Sequence, residues 1–357
     1  MIADSKNDGV PSLEIGSSPL VSFCLATYKR PERLSSVLAS IRAQTIRDYE
    51  VIVSDNDPEQ SSKATVESIR DERFRYVSNS VNVGMVKNFN VALSHARGRY
   101  VVMITDDDPI YPHMLSTLVS LAANYPGFGA YYGACDVALE NSEVASTYAS
   151  EEGLISFLAP VAREAVRVYT SAQFLSAFFK RSIFPYMLWS TGMVRRDIAV
   201  RIGGMPDYGS PFLTDFTYMA LAGEEAGFAT INDSLGYQAV HGQNSGFTNP
   251  HSLHVALQGS HGLLTERLSN RSDWTVLRSD MEAYLGVYIV GHIVAMRRYF
   301  KRRGSPEQRL EYESLKRSLF EIRYIRKLSY RYHLANIMAA VPFLRRIYTR
   351  LKKLRPH

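Results

Sequence analysis

Short apolar runs alternate with amphipathic segments along the first third of the chain. The run at 20–26 (LVSFCLA) has the length of a buried strand, and Pro31 begins a segment whose apolar residues recur at helical spacing. The same reading predicts further strands at 50–54, 74–77 and 100–105, and further helices at 61–69, 86–96 and after Pro112. Strands that alternate with helices in this way predict a parallel sheet covered by helices.

Polar clusters follow three of the predicted strands. Ligands of such sheets bind outside the carboxyl ends of the strands, so we expect the three clusters to share one edge of the sheet, which we call the rim. The clusters are Thr27-Tyr28-Lys29-Arg30, Asp55-Asn56-Asp57 and Asp106-Asp107-Asp108.

The rest of the chain carries a weaker pattern. Helices are predicted near 172–180 and 216–223, and helical spacing returns from about residue 280. Hydrophobic residues make up 46% and charged residues 21%, as in globular proteins. No secretory signal is visible, and no apolar stretch reaches the roughly 20 residues of a membrane span. The two cysteines, Cys24 and Cys135, sit in apolar runs, which predicts buried free thiols in a reducing compartment rather than a zinc site.

Positive charge is concentrated at the C-terminal end. The net charge is +6, yet the chain from Arg297 onward carries 18 basic and four acidic residues, so the remainder is net negative. Within this part, 342–355 (PFLRRIYTRLKKLR) predicts a basic amphipathic helix suited to an anionic membrane surface. Packing on the rest of the chain and self-association are the two alternatives. No nucleic-acid-binding module accompanies the charge, so we expect no nucleic acid partner.

The acidic run at 106–108 needs a compensating charge. Three consecutive carboxylates at the end of a buried strand repel one another, and a hard divalent cation such as Mg²⁺ or Mn²⁺ prefers carboxylate oxygens. A cation at this position neutralises a diphosphate leaving group. The alternative is an acidic turn that only places negative charge before the next helix.

Four segments stand out between residues 20 and 246: VSFCLATYKRPERL, EVIVSDND, NVGMVKNFNVALSHARGRYVVMITDDD and YQAVHGQNSG. Together they resemble the family 2 glycosyltransferases of the GT-A fold; their order and spacing are specific, although each piece alone is weak. The resemblance implies an α/β fold with a Rossmann-like, mostly parallel sheet flanked by helices. It also implies the inverting transfer of a sugar from a nucleotide-diphosphate-sugar to an acceptor hydroxyl, assisted by Mn²⁺ or Mg²⁺.

The resemblance assigns donor-binding residues to the rim. Thr27 and Tyr28 match the segment that lines the nucleotide pocket, and Arg30 belongs to the same cluster. Asp55 matches the aspartate that binds the nucleotide base, although a turn-forming aspartate explains it equally. The loop and helix before the fourth strand contribute Asn82, Gly84 and Asn88.

The metal site follows from the same resemblance. Asp106 matches the first aspartate of the DXD motif, near the ribose or the sugar, and Asp108 matches the second, on the metal. Asp107 stands between them and is assigned to the donor, which leaves the choice of ligand within the run open. His241 matches a late histidine that completes the metal site or contacts the diphosphate, and a structural histidine is the alternative.

The family's catalytic base is a carboxylate on the helix after the donor half. Asp215, in PFLTDFTYMALAGEEAGF, is the best match, where Thr214 replaces an acidic residue that the family often carries. A helix-capping aspartate is the alternative, and Glu224 and Glu225 rank lower.

Trp189 and Gly192 match a segment that shapes the acceptor side. Trp189 is suited to stacking on a sugar ring, and a buried core tryptophan is the alternative.

Three regions are predicted: a flexible tail at 1–19, a catalytic domain at 20–250, and a helical, basic extension at 251–357. The catalytic domain divides into a nucleotide-sugar half at 20–133 and an acceptor half at 134–250. We expect a cytoplasmic enzyme, peripheral on the inner face of the membrane, that uses a saccharide or lipid-linked saccharide as acceptor. The rival function is a non-catalytic nucleotide-sugar-binding or scaffold protein. A nucleotidyltransferase is disfavoured because ATYKRPERL lacks the required glycines.

Overall fold

The computed structural model describes residues 18–140, 165–181, 187–241 and 250–330. The predicted tail therefore lies almost entirely outside the described residues, and the basic segment 342–355 lies wholly outside them.

One mixed sheet of eight strands organises the described residues. The strands are β1 (Val21–Thr27), β2 (Tyr49–Asp55), β3 (Phe74–Ser78), β4 (Tyr100–Thr105), β5 (Ala130–Leu139), β6 (Val166–Tyr169), β7 (Gly192–Arg195) and β8 (Phe228–Val240). They lie in the order β3-β2-β1-β4-β7-β5-β8-β6. The first four strands are mutually parallel, and β5 pairs in parallel with β8. The strands β7 and β6 run antiparallel to their neighbours. This confirms the predicted α/β fold.

Helices cover the sheet and extend beyond it. They are α1 (Pro31–Arg42), α2 (Lys63–Glu67), α3 (Met85–Ser94), α4 (Met114–Asn124), α5 (Ser171–Phe179), α6 (Arg196–Arg201), α7 (Thr214–Ala226), α8 (Pro250–Leu268), α9 (Trp274–Arg303) and α10 (Pro306–Glu321). Helix α1 buries the four apolar residues that predicted it, Leu34, Val37, Leu38 and Ile41. None of the helices in the described ranges combines the length and hydropathy of a membrane span.

The C-terminal helices share the core of the sheet. Phe89 and Tyr132 from the sheet side belong to the same buried cluster as Met281, Phe300 and Leu319 from α9 and α10. Burial of this kind stabilises by about 1.5–3 kcal/mol per large apolar side chain. The boundary near residue 250 stays a prediction, since apolar packing is continuous across it.

Several elements of the second half differ from expectation. Helix α8 and the start of α9 lie before residue 280, where no helix was predicted. The buried face of α8 includes Ala256 and Ser260, and these small residues weaken the apolar period. Both cysteines are buried free thiols, as predicted.

Candidate active site

The acidic run leaves the sheet at the carboxyl end of β4, between the ends of β1 and β8. Strand β8 holds the residues after the run, since Tyr111 N donates to Leu235 O at 2.8 Å and Tyr237 N donates to Pro109 O at 3.1 Å. Gly236 permits this approach: a Cβ there would lie 2.8 Å from the Pro109 carbonyl oxygen. Because β1, β2 and β4 are parallel neighbours, the three polar clusters share one edge of the sheet, as predicted. The end of β8 borders the same edge.

Asp106 is tied to the end of β1. Thr27 Oγ1 donates to Asp106 Oδ2 at 2.7 Å, and Arg30 Nη1 lies 3.6 Å from Asp106 Oδ1. Thr27 is buried, so its hydroxyl serves the acidic run rather than solvent.

Asp107 lies between two basic side chains. Arg30 Nη1 donates to Asp107 Oδ2 at 3.0 Å, and His241 Nε2 lies 3.2 Å from the same oxygen. His241 directly follows β8 and is buried, whereas the Arg30 side chain is about one third exposed. The structure thus joins three residues from distant parts of the sequence in one charged cluster.

Asp108 is held by hydrogen bonds from Thr105 and from the end of β8. Thr105 Oγ1 donates to Asp108 Oδ2 at 2.8 Å, and the Ala239 N–H donates to Asp108 Oδ1 at 2.9 Å. The sequence paired Asp108 with His241 as metal ligands; in this structure the histidine contacts Asp107 instead. Side-chain alternation along β4 does not continue into the irregular run, so strand periodicity gave no way to choose among the three.

The three carboxyl groups differ in their pKa values. Burial, reinforced by the neighbouring Asp107 charge, raises the pKa of Asp106 to about 6 and raises that of Asp108 well above its ordinary value. Burial also acts on Asp107, yet the hydrogen bond with His241 and the Arg30 charge hold its pKa below its ordinary value. Asp107 therefore has the lowest pKa of the three carboxyl groups.

The donor atoms suit a hard divalent cation, because carboxylate oxygens and an imidazole nitrogen are ligands of Mn²⁺. Among the described residues, however, no three His, Cys, Asp or Glu side chains are arranged as a cation cage. The Arg30 guanidinium supplies positive charge beside the run, and His241 contacts Asp107.

Asp55 is occupied inside the protein. Its carboxylate accepts from Asp57 N at 2.9 Å, Ser62 N at 3.1 Å and Tyr76 Oη at 2.8 Å, and the side chain is fully buried. The structure favours the turn-forming alternative, because no oxygen of the carboxylate faces solvent; contact of Asp55 with the nucleotide base stays a prediction.

Asn88 has a similar internal role. Its Oδ1 accepts from Ser54 Oγ at 2.6 Å and from Asn79 Nδ2 at 2.7 Å, while its Nδ2 donates to the Thr27 and Ser54 carbonyl oxygens. Asn88, on α3, therefore holds the ends of β1 and β2 together through hydrogen bonds to their carbonyl oxygens.

Asn82 and Gly84 form the exposed loop before α3. Asn82 Oδ1 accepts from Asn56 Nδ2 at 2.7 Å and from Gly84 N at 2.9 Å. Gly84 has φ +88°, a conformation that favours glycine, and a Cβ there would meet no atom within 4 Å. The space above Gly84 is open to a ligand on the rim.

Tyr28 and Lys29 directly follow β1, on the exposed side of the rim. Tyr28 is 42% exposed, and Lys29 has φ 55°, outside the usual range for a residue with a side chain. Lys29 Nζ lies 3.7 Å from Asp57 Oδ1. The sequence analysis did not select Asp57 as a site residue, although it placed Asp57 in the Asp55-Asn56-Asp57 cluster at the end of β2.

Asp215 is the second residue of α7, which follows a strained turn. Leu213 has φ 61°, a left-handed conformation that costs a non-glycine residue about 1 kcal/mol or more. Tyr208 Oη donates to Phe212 O at 2.8 Å, which closes the turn. Burial raises the pKa of Asp215 to about 6, near the value that suits a general base.

One turn of α9 connects the Asp215 region with the His241 region. The His292 ring packs edge-on against Phe212 at a centroid distance of 5.4 Å, and Ala295 packs with Val240, the residue before His241. Residues 292 and 295 are separated by a helical rise of about 4.5 Å. The Asp215 turn and the end of β8 therefore border the same part of the molecule.

Trp189 and Gly192 lie in the core. Trp189 is 9% exposed and packs on Phe89 at a centroid distance of 4.9 Å. A Cβ at Gly192 would lie 2.1 Å from the Tyr132 ring. The structure corrects their assignment to an acceptor-binding surface, because both positions are used for packing.

The family model described as glycosyl transferase family 2 matches residues 22–196. The chain carries a glycosyl transferase family 2 domain. The matched part contains β1 to β4 and the acidic run. Asp215, His241 and the helices α7 to α10 lie beyond the matched part, so their roles depend on geometry.

Known glycosyltransferases resemble part of this chain. The chain is 31% identical over 127 residues, 35% of its length, to the GalNAc(5)-diNAcBac-PP-undecaprenol beta-1,3-glucosyltransferase of Campylobacter jejuni. The match spans only 40% of that relative's own length.

Solved structures share the fold over most of the chain. S. aureus TarS 1-349 in complex with UDP-GlcNAc superimposes with a TM-score of 0.57 at 15% identity, covering 90% of this chain and 81% of that one. The mannosyltransferase PcManGT from Pyrobaculum calidifontis, in complex with GDP-Man and Mn²⁺, gives a TM-score of 0.50 at 17% identity, covering 88% and 84%. These likenesses establish the GT-A-type fold.

Replacing Asp55 by alanine is expected to destabilise the protein rather than to remove a ligand contact. Three buried donors lose their acceptor, each at a cost of about 1–3 kcal/mol, so the free energy of unfolding should fall by more than about 2 kcal/mol. Urea unfolding measures this fall. Tyr76→Phe, which removes one donor, should show a smaller loss. Unchanged stability with lost nucleotide binding would contradict the structural role.

Proposed function

We propose that the protein transfers a sugar from a nucleotide-diphosphate-sugar to an acceptor hydroxyl by a single inverting displacement. The observation that carries this proposal is the cluster of Arg30, Asp107 and His241 at the carboxyl ends of β1, β4 and β8. It lies in a chain with a glycosyl transferase family 2 domain, on the edge where sheets of this kind bind nucleotides.

The donor is proposed to bind along the rim. The exposed ring of Tyr28 offers a stacking surface for the nucleotide base, and Arg30 offers a planar guanidinium for phosphate oxygens. Asn82 and Gly84 border the open space beside them. UDP-GlcNAc and GDP-Man in the two superimposed structures support a nucleotide-sugar donor in general terms.

Asp107 and His241 are the residues proposed to hold a divalent cation, with Asp108 as their neighbour in the run. Asp107 has the lowest pKa of the three carboxyl groups, and His241 contacts it directly. The Mn²⁺ in the mannosyltransferase structure supports this expectation. When bound, the cation supplies positive charge to the diphosphate leaving group.

Asp215 is proposed as the general base. The acceptor hydroxyl loses its proton to the Asp215 carboxylate while its oxygen bonds to the anomeric carbon from the face opposite the diphosphate. The bond from that carbon to the diphosphate oxygen breaks, and the nucleoside diphosphate leaves with the electron pair. One displacement inverts the anomeric configuration.

The proposed acceptor is a lipid-linked saccharide. The Campylobacter jejuni relative is named for an acceptor linked to undecaprenol through a diphosphate. An acceptor of this kind lies at the membrane surface, which matches the excess of basic residues from Arg297 onward. We therefore propose that the enzyme works as a peripheral protein on the cytoplasmic face of the membrane.

Nucleotide release from UDP-, dTDP-, GDP- and CDP-sugars tests the proposal, with Mn²⁺, Mg²⁺ or EDTA, and with or without an undecaprenyl-diphosphate-linked N-acetylhexosamine. One nucleotide class should be released, and EDTA should stop the release. Asp107→Asn should lower the rate at least about a hundredfold, because charge at the leaving group is lost. Asp215→Asn should lower only the acceptor-dependent rate, by about a hundredfold or more.

Asp71→Asn is the matched control, since Asp71 precedes β3 at the opposite edge of the sheet and pairs with Arg73. Comparing Asp107→Asn with Asp108→Asn decides which carboxylate serves the cation. Absence of nucleotide binding and release across the whole panel would refute the proposed transferase activity and favour a non-catalytic scaffold protein.

Membrane association is expected to depend on the basic segment 342–355. Changing Arg345, Arg346, Lys352 and Lys353 to glutamine should weaken sedimentation with phosphatidylglycerol-containing vesicles by more than about tenfold, since each basic residue contributes about 1 kcal/mol. Binding should also fall with added salt and be weak on phosphatidylcholine alone.

The charge-matched control changes Arg42, Arg47, Lys63 and Arg70 to glutamine, all exposed residues of the first half. Equal loss in both variants would show that net charge, not the C-terminal segment, attracts the protein. Undiminished sedimentation of the C-terminal variant would refute the proposed membrane contact.

A further inference from the structure

Helix α9 continues past the end of β8 and finishes in a basic segment. Ala295 packs with Val240, the last residue of β8, and Tyr299 and Val137 pack against this pair. Lys301 lies six residues beyond Ala295, a helical rise of about 9 Å. Because the end of β8 contacts the acidic run, the last turns of α9 border the proposed site.

Positive charge is concentrated where α9 meets α10. The segment 297–309 (RRYFKRRGSPEQR) holds six basic residues and one acidic residue. Arg297 and Lys301 are exposed on α9. From α10, the Arg309 guanidinium donates to the carbonyl oxygens of Phe300 and Lys301 at 3.0 Å and 3.4 Å. Side chains of two helices therefore bring positive charge to one corner of the molecule.

Arg297 and Lys301 are not compensated by acidic side chains. Neither forms an ion pair with a residue that the structure describes. They are four residues apart and so share one face of α9, where like charges repel. The helix dipole favours Lys301 in the last turn, but Arg297 precedes the last turn. The helix therefore keeps a repulsion that an anionic ligand would remove.

The acidic residues nearby in sequence leave this corner with a net positive charge. From 297 to 316 the chain carries seven basic and three acidic residues. Glu307 and Glu311 are exposed on α10, and Glu313 lies 3.2 Å from Lys316. An anionic ligand is therefore favoured at this corner over a cation or a neutral saccharide.

We propose that Arg297 and Lys301, which we call the α9 basic surface, bind the diphosphate of the lipid-linked acceptor. This inference deepens the proposed function and rests on it. A diphosphate presents several charged oxygens, which guanidinium and ammonium groups bind through charge-assisted hydrogen bonds. Because the diphosphate joins the saccharide to the lipid, its binding also orients the saccharide.

The order of contacts along α9 agrees with an acceptor that lies beside the helix. The Phe212 ring, three residues before Asp215, packs edge-on against His292 at a centroid distance of 5.4 Å. Arg297 follows His292 by five residues, a rise of about 7.5 Å. A saccharide whose hydroxyl meets Asp215 can therefore extend along α9 and bring its diphosphate to Arg297.

The test compares two acceptors in neutral detergent micelles, with the donor and metal that the nucleotide panel identifies. One is the undecaprenyl-diphosphate-linked N-acetylhexosamine, and the other is the undecaprenyl glycoside of the same sugar, which lacks the diphosphate. In Arg297→Gln/Lys301→Gln, KM for the first acceptor should rise at least about tenfold, because charge-assisted hydrogen bonds to the diphosphate are lost. KM for the glycoside, KM for the donor and nucleotide release without acceptor should stay within about twofold, as for other surface substitutions.

Unchanged KM for the diphosphate-linked acceptor would overturn the proposal. An equal rise for both acceptors would also overturn it, since the surface would then bind the sugar or the lipid chain. Undecaprenyl diphosphate gives a second readout, because its inhibition constant against the diphosphate-linked acceptor should rise about tenfold in the same variant. The charge-retaining variant Arg297→Lys/Lys301→Arg should keep both constants within about threefold of the wild type.

Arg323→Gln/Lys327→Gln is the matched control. These two residues are also exposed, basic and four residues apart, but they lie on either side of Tyr324, which packs beside Gly286. Gly286 precedes Arg297 by eleven residues of α9, about 16 Å along the helix. KM for the diphosphate-linked acceptor should match the wild type. A rise as large as that of the Arg297 variant would refute the proposal, because the effect would then come from net charge.

Sedimentation with phosphatidylglycerol vesicles separates the acceptor from bulk phospholipid as the ligand. If Arg297→Gln/Lys301→Gln loses vesicle binding while its KM in neutral micelles equals that of the wild type, the surface binds phospholipid headgroups and the proposal is wrong. If the wild type transfers sugar to neither acceptor, the proposed function itself fails. In an active enzyme, equal KM values in wild type and variant overturn this inference alone.

Discussion

Negative charge at the end of β4 is the constraint around which the rest of the site is arranged. Three consecutive aspartates leave a buried strand together, and water is not available to screen them. Each carboxylate is contacted from β1 or β8 or from residues next to these strands. Thr27 donates to Asp106, the Ala239 N–H donates to Asp108, and Asp107 is contacted by both Arg30 and His241. The residues that contact these carboxylates are the same residues that we propose to face a diphosphate and its cation.

The second half of the molecule brings the proposed base to this charge. Helix α9 packs on the Asp215 turn through His292 and on the end of β8 through Ala295, within one helical turn. The core is continuous from Tyr132 in the sheet to Phe300 in this helix. Truncation of the C-terminal helices would therefore remove a wall of the proposed site, in addition to any membrane contact.

The donor half was predictable from sequence because its signals are local. Strand-length apolar runs, the Pro31 helix start and the helical spacing of Leu34 and Ile41 fix the elements. The polar clusters at strand ends then follow from topology. Side-chain direction was not predictable: Asp55 turns inward to three donors, Asp108 accepts from Thr105 and Ala239, and Trp189 enters the core. These outcomes depend on long-range partners, which spacing along the chain does not encode.

The most direct measurement of the central claim is Mn²⁺ binding to the intact protein in the presence of UDP, followed by electron paramagnetic resonance. The account predicts a bound-Mn²⁺ signal that is lost, or weakened at least about tenfold, in Asp107→Asn and in His241→Asn, because each removes a ligand. Asp71→Asn should bind like the wild type, since that residue lies at the opposite edge of the sheet. Full Mn²⁺ affinity in both Asp107→Asn and His241→Asn would contradict a cation site between the acidic run and the end of β8.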